Sequence, residues 1–292
     1  MDFGKIVTAM VTPFDEQMQV NWSEAERLID YLIEEQQTDS LVICGTTGES
    51  PTLTEEEKLR LFETAVRHAG GRAKIIAGTG SYDTAHSIHL SKLAKQTGVD
   101  GLLLVTPYYN RPSTEGIYQH FKAIAEAVDL PIMLYNIPSR TNVNMSAELT
   151  LRLAQIPNIV AMKESSGDLN QMTRIIAGAP SDFYVYSGDD NLTLPLLAVG
   201  GHGIVSVASH VAGKQMKRMI EVYSNGQVRE AAKLHQELLP IFEGLFNCPH
   251  RVPNPVPVKH ALRLRGLQVG SVRLPLIDVT EQEGQFIQSL LG

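Results

Sequence analysis

Short apolar runs alternate with longer stretches of helical period from the N-terminus to about residue 210, with no low-complexity linker between them. The runs Ile6–Met10, Leu41–Cys44, Lys74–Gly78, Gly101–Val105, Ile132–Asn136, Ile159–Lys163, Phe183–Ser187 and Gly203–Val207 read as strands, short and bounded by turn residues. They are almost wholly apolar rather than alternating, as a strand covered on both faces requires. Between them lie amphipathic segments. "SEAERLIDYLIEEQ" opens with Ser23 and Glu26 spaced as a capping box, and "TEEEKLRLFETAVRHA" opens likewise with Thr54 and Glu57. Eight such units predict an α/β chain closed into a (β/α)8, or TIM, barrel. The alternation then stops, and helices are expected over Lys214–Ser224, Val228–Phe246, Pro257–Leu264 and Thr280–Leu291. The expected organisation is a barrel over residues 1–210 carrying the active site, and a C-terminal helical segment over 211–292 packed on it.

Composition narrows the function. A chain of 292 residues, 43% hydrophobic, buries one large core. Its net charge of −7 comes from interspersed acidic and basic residues, so it has no basic stripe to follow a phosphate backbone, and nucleic acid is excluded as an expected partner. "MDFGKIVTAMVTPF" lacks a signal-peptide pattern, and no run approaches eighteen apolar residues. A cytoplasmic protein without a membrane partner is expected. Cys44 and Cys248 form neither a disulfide framework nor a zinc pattern. His86 and His89 are spaced three apart on a predicted helix but lack a third ligand at metal spacing.

The chemistry gathers at strand ends, where a (β/α)8 barrel builds its active site. "CGTTGES", "TPYYNRP", "YNIPSRT", Lys163, "SGDD" and "GGHGIVSV" read as the ends of the second, fourth, fifth, sixth, seventh and eighth strands. Lys163 ends a buried-looking strand. An ammonium has no lone pair with which to attack a carbonyl, and burial disfavours the charged form, so this placement suits a Schiff-base nucleophile. The plainer alternatives are a side chain snorkelling to the rim or paired with Glu164. Tyr135, at the end of the preceding strand, is placed to relay protons to a carbinolamine at Lys163. Thr47, in a glycine-flanked turn, offers a hydroxyl and backbone N–H groups to a carboxylate. Arg140, after Pro138 and Ser139, presents the planar fork that binds a second carboxylate. One amine between two carboxylate sites points to the condensation of two small acids.

"GTTGES", "TPYYNRP", "YNIPSRT", "MKESSGD", "GGHGIVSV" and "NPVPVK" resemble, in order and spacing and essentially end to end, the motifs of the pyruvate-dependent class I aldolase superfamily, and within it the dihydrodipicolinate synthase family. The resemblance implies a lyase that condenses pyruvate with L-aspartate-4-semialdehyde in diaminopimelate and lysine biosynthesis, with neither metal nor organic cofactor. It matches Lys163 to the Schiff-base lysine, Tyr135 to the proton-relay tyrosine, and Thr47 to the hydroxyl linking two tyrosines. It matches Tyr109 to a tyrosine lent across a subunit interface, so that activity depends on assembly into a homotetramer, a dimer of dimers. Thr46 and Thr47 match the turn holding the pyruvate carboxylate, Arg140 the residue holding the aldehyde's carboxylate, and Gly188 and the Val205 backbone the pocket lining. Asn254 falls within the "NPVPVK" motif.

The chain departs from the family pattern twice. Asn142 stands where a glycine is common after "SRT", an exchange tolerable because asparagine accepts positive φ better than most residues. Ser50 and Tyr108 match the site at which lysine inhibits some members, but Lys58, Tyr82 and His86 replace the usual histidine, asparagine and glutamate. Without the glutamate and with an added lysine the site becomes repulsive or neutral to a cation, so weak or absent lysine inhibition is expected. The alternative enzyme is another superfamily member, such as N-acetylneuraminate lyase or a keto-deoxy sugar acid aldolase. Arg140, the paired threonines and the paired tyrosines favour the synthase.

Overall fold

The computed structural model describes residues 1–291. Among them, parallel strands β1 (Ile6–Ala9), β2 (Ser40–Ile43), β3 (Lys74–Gly78), β4 (Gly101–Val105), β5 (Ile132–Asn136), β6 (Ile159–Glu164), β7 (Tyr184–Ser187) and β8 (Gly203–Ser206) close into a barrel in chain order, with β8 pairing back to β1. The apolar runs divide into two layers by the two-residue period of a strand. Val7, Val42, Ile76, Leu103, Met133, Ala161 and Val205 fill the barrel. Leu102, Leu104, Ile132, Leu134 and Met162 face the helices outside. Each fully buried aliphatic side chain contributes about 1.5–3 kcal/mol, so both layers specify register.

The helices around the barrel are α1 (Trp22–Asp30), α2 (Glu55–Ala69), α3 (Thr84–Gln96), α4 (Thr114–Ala127), α5 (Pro138–Thr141), α6 (Ala147–Leu153), α7 (Leu169–Gly178) and α8 (Thr193–Ala198). The expected capping box at Thr54 and Glu57 is present. The one at Ser23 and Glu26 is not: Asn21 caps α1, its side chain accepting from Glu24 N–H, and Ser23 donates to Asn21 instead. Asparagine at least equals serine as an N-cap, and here it lies two residues earlier, so the helix begins sooner than the pattern implied. Strand β2 stops at Ile43 because Cys44 turns to φ 56°, and β6 runs one residue further than expected, to Glu164.

After β8 come α9 (Ser209–Ser224), α10 (Val228–Gly244), α11 (Val256–Leu264) and α12 (Glu281–Leu290). Helix α9 packs on β1 and carries α10, while α11 packs on α9 and α12. The segment between α11 and α12 returns to the barrel. Gln268 N–H donates to Glu24 at 2.6 Å, and Arg273 donates to both carboxylate oxygens of Glu57 at 2.6 and 2.8 Å. Among the described residues no helix is long and apolar enough to cross a membrane, and Cys44 and Cys248 are free and buried.

Candidate active site

Strand register brings the first two candidates together. Tyr135 and Lys163 are direct partners across β5 and β6, both facing the barrel interior, and Lys163 Nζ lies 4.2 Å from the Tyr135 ring centroid. Lys163 is 6% exposed and, among the described residues, forms no ion pair or side-chain hydrogen bond. The pairing with Glu164 does not occur, because adjacent residues on a strand point to opposite faces. Glu164 points outward, where both its oxygens accept from Asn136 Nδ2 at 3.1 Å and Oε2 accepts from Gln171 at 3.0 Å. Burial raises its pKa against those donors.

The "CGTTGES" turn after β2 is held by the C-terminal segment. Two of its residues are left-handed, Cys44 at φ 56° and Glu49 at φ 57°, a conformation that costs non-glycine residues about 1–3 kcal/mol each. Partners at Glu49 offset the strain there: its carboxylate accepts from Lys259 Nζ at 3.0 Å and Arg273 N–H at 2.9 Å. Lys259 is fully buried, also donates to Ser271 O, and lies over the Phe14 ring; burial brings its pKa down to about 8 against the pull of Glu49. Thr47 is buried, and its Oγ1 accepts from Asn254 Nδ2 at 3.0 Å, which leaves the threonine O–H to donate elsewhere.

A cleft of about 790 Å³ opens at this end of the barrel, lined by Thr46, Tyr135 and Arg140; the buried Lys163 adjoins it through Tyr135, and the buried Thr47 follows Thr46 in the chain. It extends without interruption to Ser50, Lys58, Tyr82, His86 and Tyr108. Arg140 is exposed in α5, which ends on Asn142 at φ 56° and ψ 19°, so asparagine occupies the left-handed position that usually takes glycine. Gly188 follows β7 and gives Lys163 its space: a Cβ there would lie 1.8 Å from Ser165 Oγ and 2.9 Å from Lys163 Cε. Asp189, next along, has its pKa pushed up to about 6 by burial, with Lys163 pulling it down and Asp190 and Glu164 adding to the rise. Val205 is buried in the interior layer.

Two candidates fall elsewhere. Tyr109 is 90% exposed on the loop after β4, at φ 70°, and does not enter the cleft of its own chain. The "GGHG" turn precedes β8 and so sits at the opposite, N-terminal end. His202 there bonds Asp2 at 2.7 Å and Lys5 at 3.3 Å. Sequence reasoning passed over Asp189, Glu49 and Lys259, whose signals were an acidic pair in "SGDD" and a charge pair separated by 210 residues along the chain.

A closed (β/α)8 barrel with a buried, unpaired lysine beside a tyrosine at its C-terminal mouth defines a lyase of the class I aldolase type. Residues 2–292 match the Dihydrodipicolinate synthetase family, and the chain belongs to it. Its relatives include the 4-hydroxy-tetrahydrodipicolinate synthase of Bacillus subtilis, 58% identical over all of this chain and 99% of the relative, and that of Moorella thermoacetica, 57% identical over all of this chain and 98% of the relative. Among solved structures, a dihydrodipicolinate synthase from Bacillus anthracis superposes with a TM-score of 0.96 at 52% identity, covering 100% of this chain and 98% of that one. The enzyme from Cyanidioschyzon merolae, solved with lysine bound, superposes at 0.96 with 47% identity, covering 99% and 97%.

Proposed function

We propose a role for each residue of this mouth in the reaction the chain performs, the condensation of pyruvate with L-aspartate-4-semialdehyde to 4-hydroxy-tetrahydrodipicolinate. Lys163 Nζ attacks the ketone carbon of pyruvate, and both amine protons leave with the ketone oxygen as water, giving an imine. Protonation of the imine nitrogen and loss of a methyl proton turn the imine into an enamine, whose carbon attacks the aldehyde of the second substrate. That substrate's own amine then displaces Lys163 and closes the ring. Tyr135 moves the protons, and Thr47, its lone pair engaged by Asn254, passes them along toward Tyr109 of a neighbouring subunit. Thr46 and Thr47 hold the pyruvate carboxylate, Arg140 that of the semialdehyde, and Gly188 and the Val205 backbone line the pocket. Residues 1–210 act as the catalytic barrel, and 211–292 brace it through Asn254 and Lys259. We read the working enzyme as a cytoplasmic homotetramer, a dimer of dimers, needing no cofactor.

The observation that supports this reading is the state of Lys163: buried, unpaired, and 4.2 Å from an aromatic ring at the barrel mouth. Borohydride reduction in the presence of pyruvate should fix a pyruvate-derived mass on Lys163. Lys163→Ala should take up none and lose at least about 10⁴-fold in rate, the scale of removing a covalent nucleophile. Turnover of N-acetylmannosamine or glyceraldehyde in preference to the semialdehyde would overturn the substrate assignment.

A further inference from the structure

A second polar group stands beside Lys163 with nothing to bond. Ser165 lies two residues past Lys163 and faces the same way, its backbone N–H anchored to Asn136 O at 2.8 Å. The residue is 7% exposed, and its Oγ, fully buried, has no hydrogen-bond partner among the described residues. Gly188 fixes where the hydroxyl lies: the place a Cβ would take there is 1.8 Å from Ser165 Oγ and 2.9 Å from Lys163 Cε, so the hydroxyl packs against the glycine. Hydroxyl and lysine stem therefore lie side by side against the same glycine. Buried hydroxyls are nearly always satisfied. On the outward face of the same strand Glu164 is fully bonded, so the orphan is confined to the interior side, where substrate enters.

We propose that Ser165 contacts substrate in imine formation, its hydroxyl holding the ketone oxygen of pyruvate as Lys163 adds; this rests on Lys163 being the imine-forming residue. The oxygen changes character during the step. As Nζ adds to the carbon, the carbonyl π pair moves onto oxygen, which must receive a hydrogen bond and then a proton. In the resulting carbinolamine the same oxygen is a hydroxyl that takes a second proton and departs as water while the C=N bond forms. A serine hydroxyl donates to the first state and accepts from the second without changing its own charge, which neither a carboxylate nor an ammonium does.

The test is Ser165→Ala in the full-length enzyme, with the rate of borohydride trapping of pyruvate as the first readout. The expected result is a fivefold to tenfold slower trapping and a matching fall in kcat/KM for pyruvate, about the worth of one neutral hydrogen bond. KM for the semialdehyde should stay within twofold, and Tm should not fall, because the variant removes a group that is unsatisfied in the free enzyme. Trapping at the parent rate would overturn the role of Ser165 and leave Lys163 as assigned. Slower trapping with a lowered Tm would make Ser165 a structural residue and overturn the proposal equally. Absence of any pyruvate adduct in the parent enzyme would overturn the Lys163 reading and this one with it.

Discussion

Lys163 stands in register between two tyrosines, Tyr135 on β5 and Tyr186 on β7, and the two have opposite surroundings. The Tyr186 hydroxyl reaches the barrel floor, accepting from Phe3 N–H at 3.1 Å and donating to Asp2 at 3.4 Å, while His202 bridges Asp2 and Lys5 beside it. Burial raises its pKa well beyond that of a free phenol, so it stays protonated. At the mouth, the Tyr135 ring lies against the unpaired Lys163 Nζ, and Ser165 Oγ and Asn254 Oδ1 have no protein partner among the described residues. The floor satisfies its polar groups from its own chain, which makes them structural. The mouth leaves its groups open, which is what a site needs if those groups are to bond a transition state rather than each other.

The pair Tyr135→Phe and Tyr186→Phe tests that difference most directly. Removing the mouth hydroxyl should lower kcat about 10²- to 10⁴-fold, the range for a general acid–base group, with Tm little changed. Removing the floor hydroxyl should leave kcat near the parent value but cost about 1–3 kcal/mol, because Phe3 N–H loses its acceptor. At a chain of this size that is a Tm drop of a few degrees per kcal/mol. Equal catalytic losses in both variants would erase the distinction between the two ends.

Lys259→Met sharpens it at the turn that joins catalysis to stability. The change strands the Glu49 carboxylate in a buried site and should cost about 3–5 kcal/mol, read by thermal or denaturant unfolding. Because Glu49 holds the left-handed turn bearing Thr46 and Thr47, KM for pyruvate should rise as well. An unchanged KM alongside the stability loss would confine the pair to the scaffold.

Asp189 gives the mouth a pH signature. Its pKa rises from 3.8 to about 6 mainly through burial, so the folded protein holds a proton there that the unfolded chain has lost. Its contribution to stability is therefore full below about pH 4 and disappears as pH rises through about 6. At neutral pH the ionised form costs up to about 3 kcal/mol relative to the unfolded chain. Asp189→Asn should accordingly raise Tm at pH 7.5 and flatten its dependence between pH 4 and 7. Activity should move the other way: the Asp189 charge, whose pKa Lys163 pulls down, favours a protonated imine in return, so kcat/KM for pyruvate should fall below about pH 6 in the parent, and that limb should vanish in the variant.

How much of this was legible in the sequence follows from which physics is local. The barrel was, because strands buried on both faces leave continuous apolar runs, and the outcome matched to within a residue or two at each end. The meeting of Lys163 and Tyr135 was legible because both come at the ends of apolar runs that are consecutive in the chain, and consecutive strands of such a barrel pair. The pairing of Lys259 with Glu49 and the bond from Asn254 to Thr47 join residues more than 200 positions apart, and only the closed barrel brings them together. The first capping box failed for a smaller reason: Asn21 competed for the same helix end. The "GGHG" turn was assigned to the wrong end because a motif containing a strand does not say on which side of the strand its polar residues lie.

The smallest expected effect is none at all, and it concerns the outer end of the cleft. Free lysine carries two ammonium groups against one carboxylate, and a site that holds its side-chain ammonium needs a carboxylate that is not otherwise engaged. The cleft offers Lys58 and His86 there. Asp83, which also lines it, is occupied capping α3, its Oδ1 accepting from Ala85 N–H at 2.8 Å and His86 N–H at 3.2 Å. Two like charges about 4 Å apart near a protein surface oppose each other by about 1–4 kcal/mol, a loss of affinity of about fivefold or more. Lysine should therefore leave the rate unchanged at sub-millimolar concentration, whereas His86→Glu, which supplies a free carboxylate, should begin to restore inhibition. Half-inhibition of the parent enzyme below 1 mM lysine (about −4 kcal/mol or tighter) would show that Ser50, Tyr82 and Tyr108 bind the ligand without a counter-charge, and that polar contacts outweigh Coulomb repulsion at this surface.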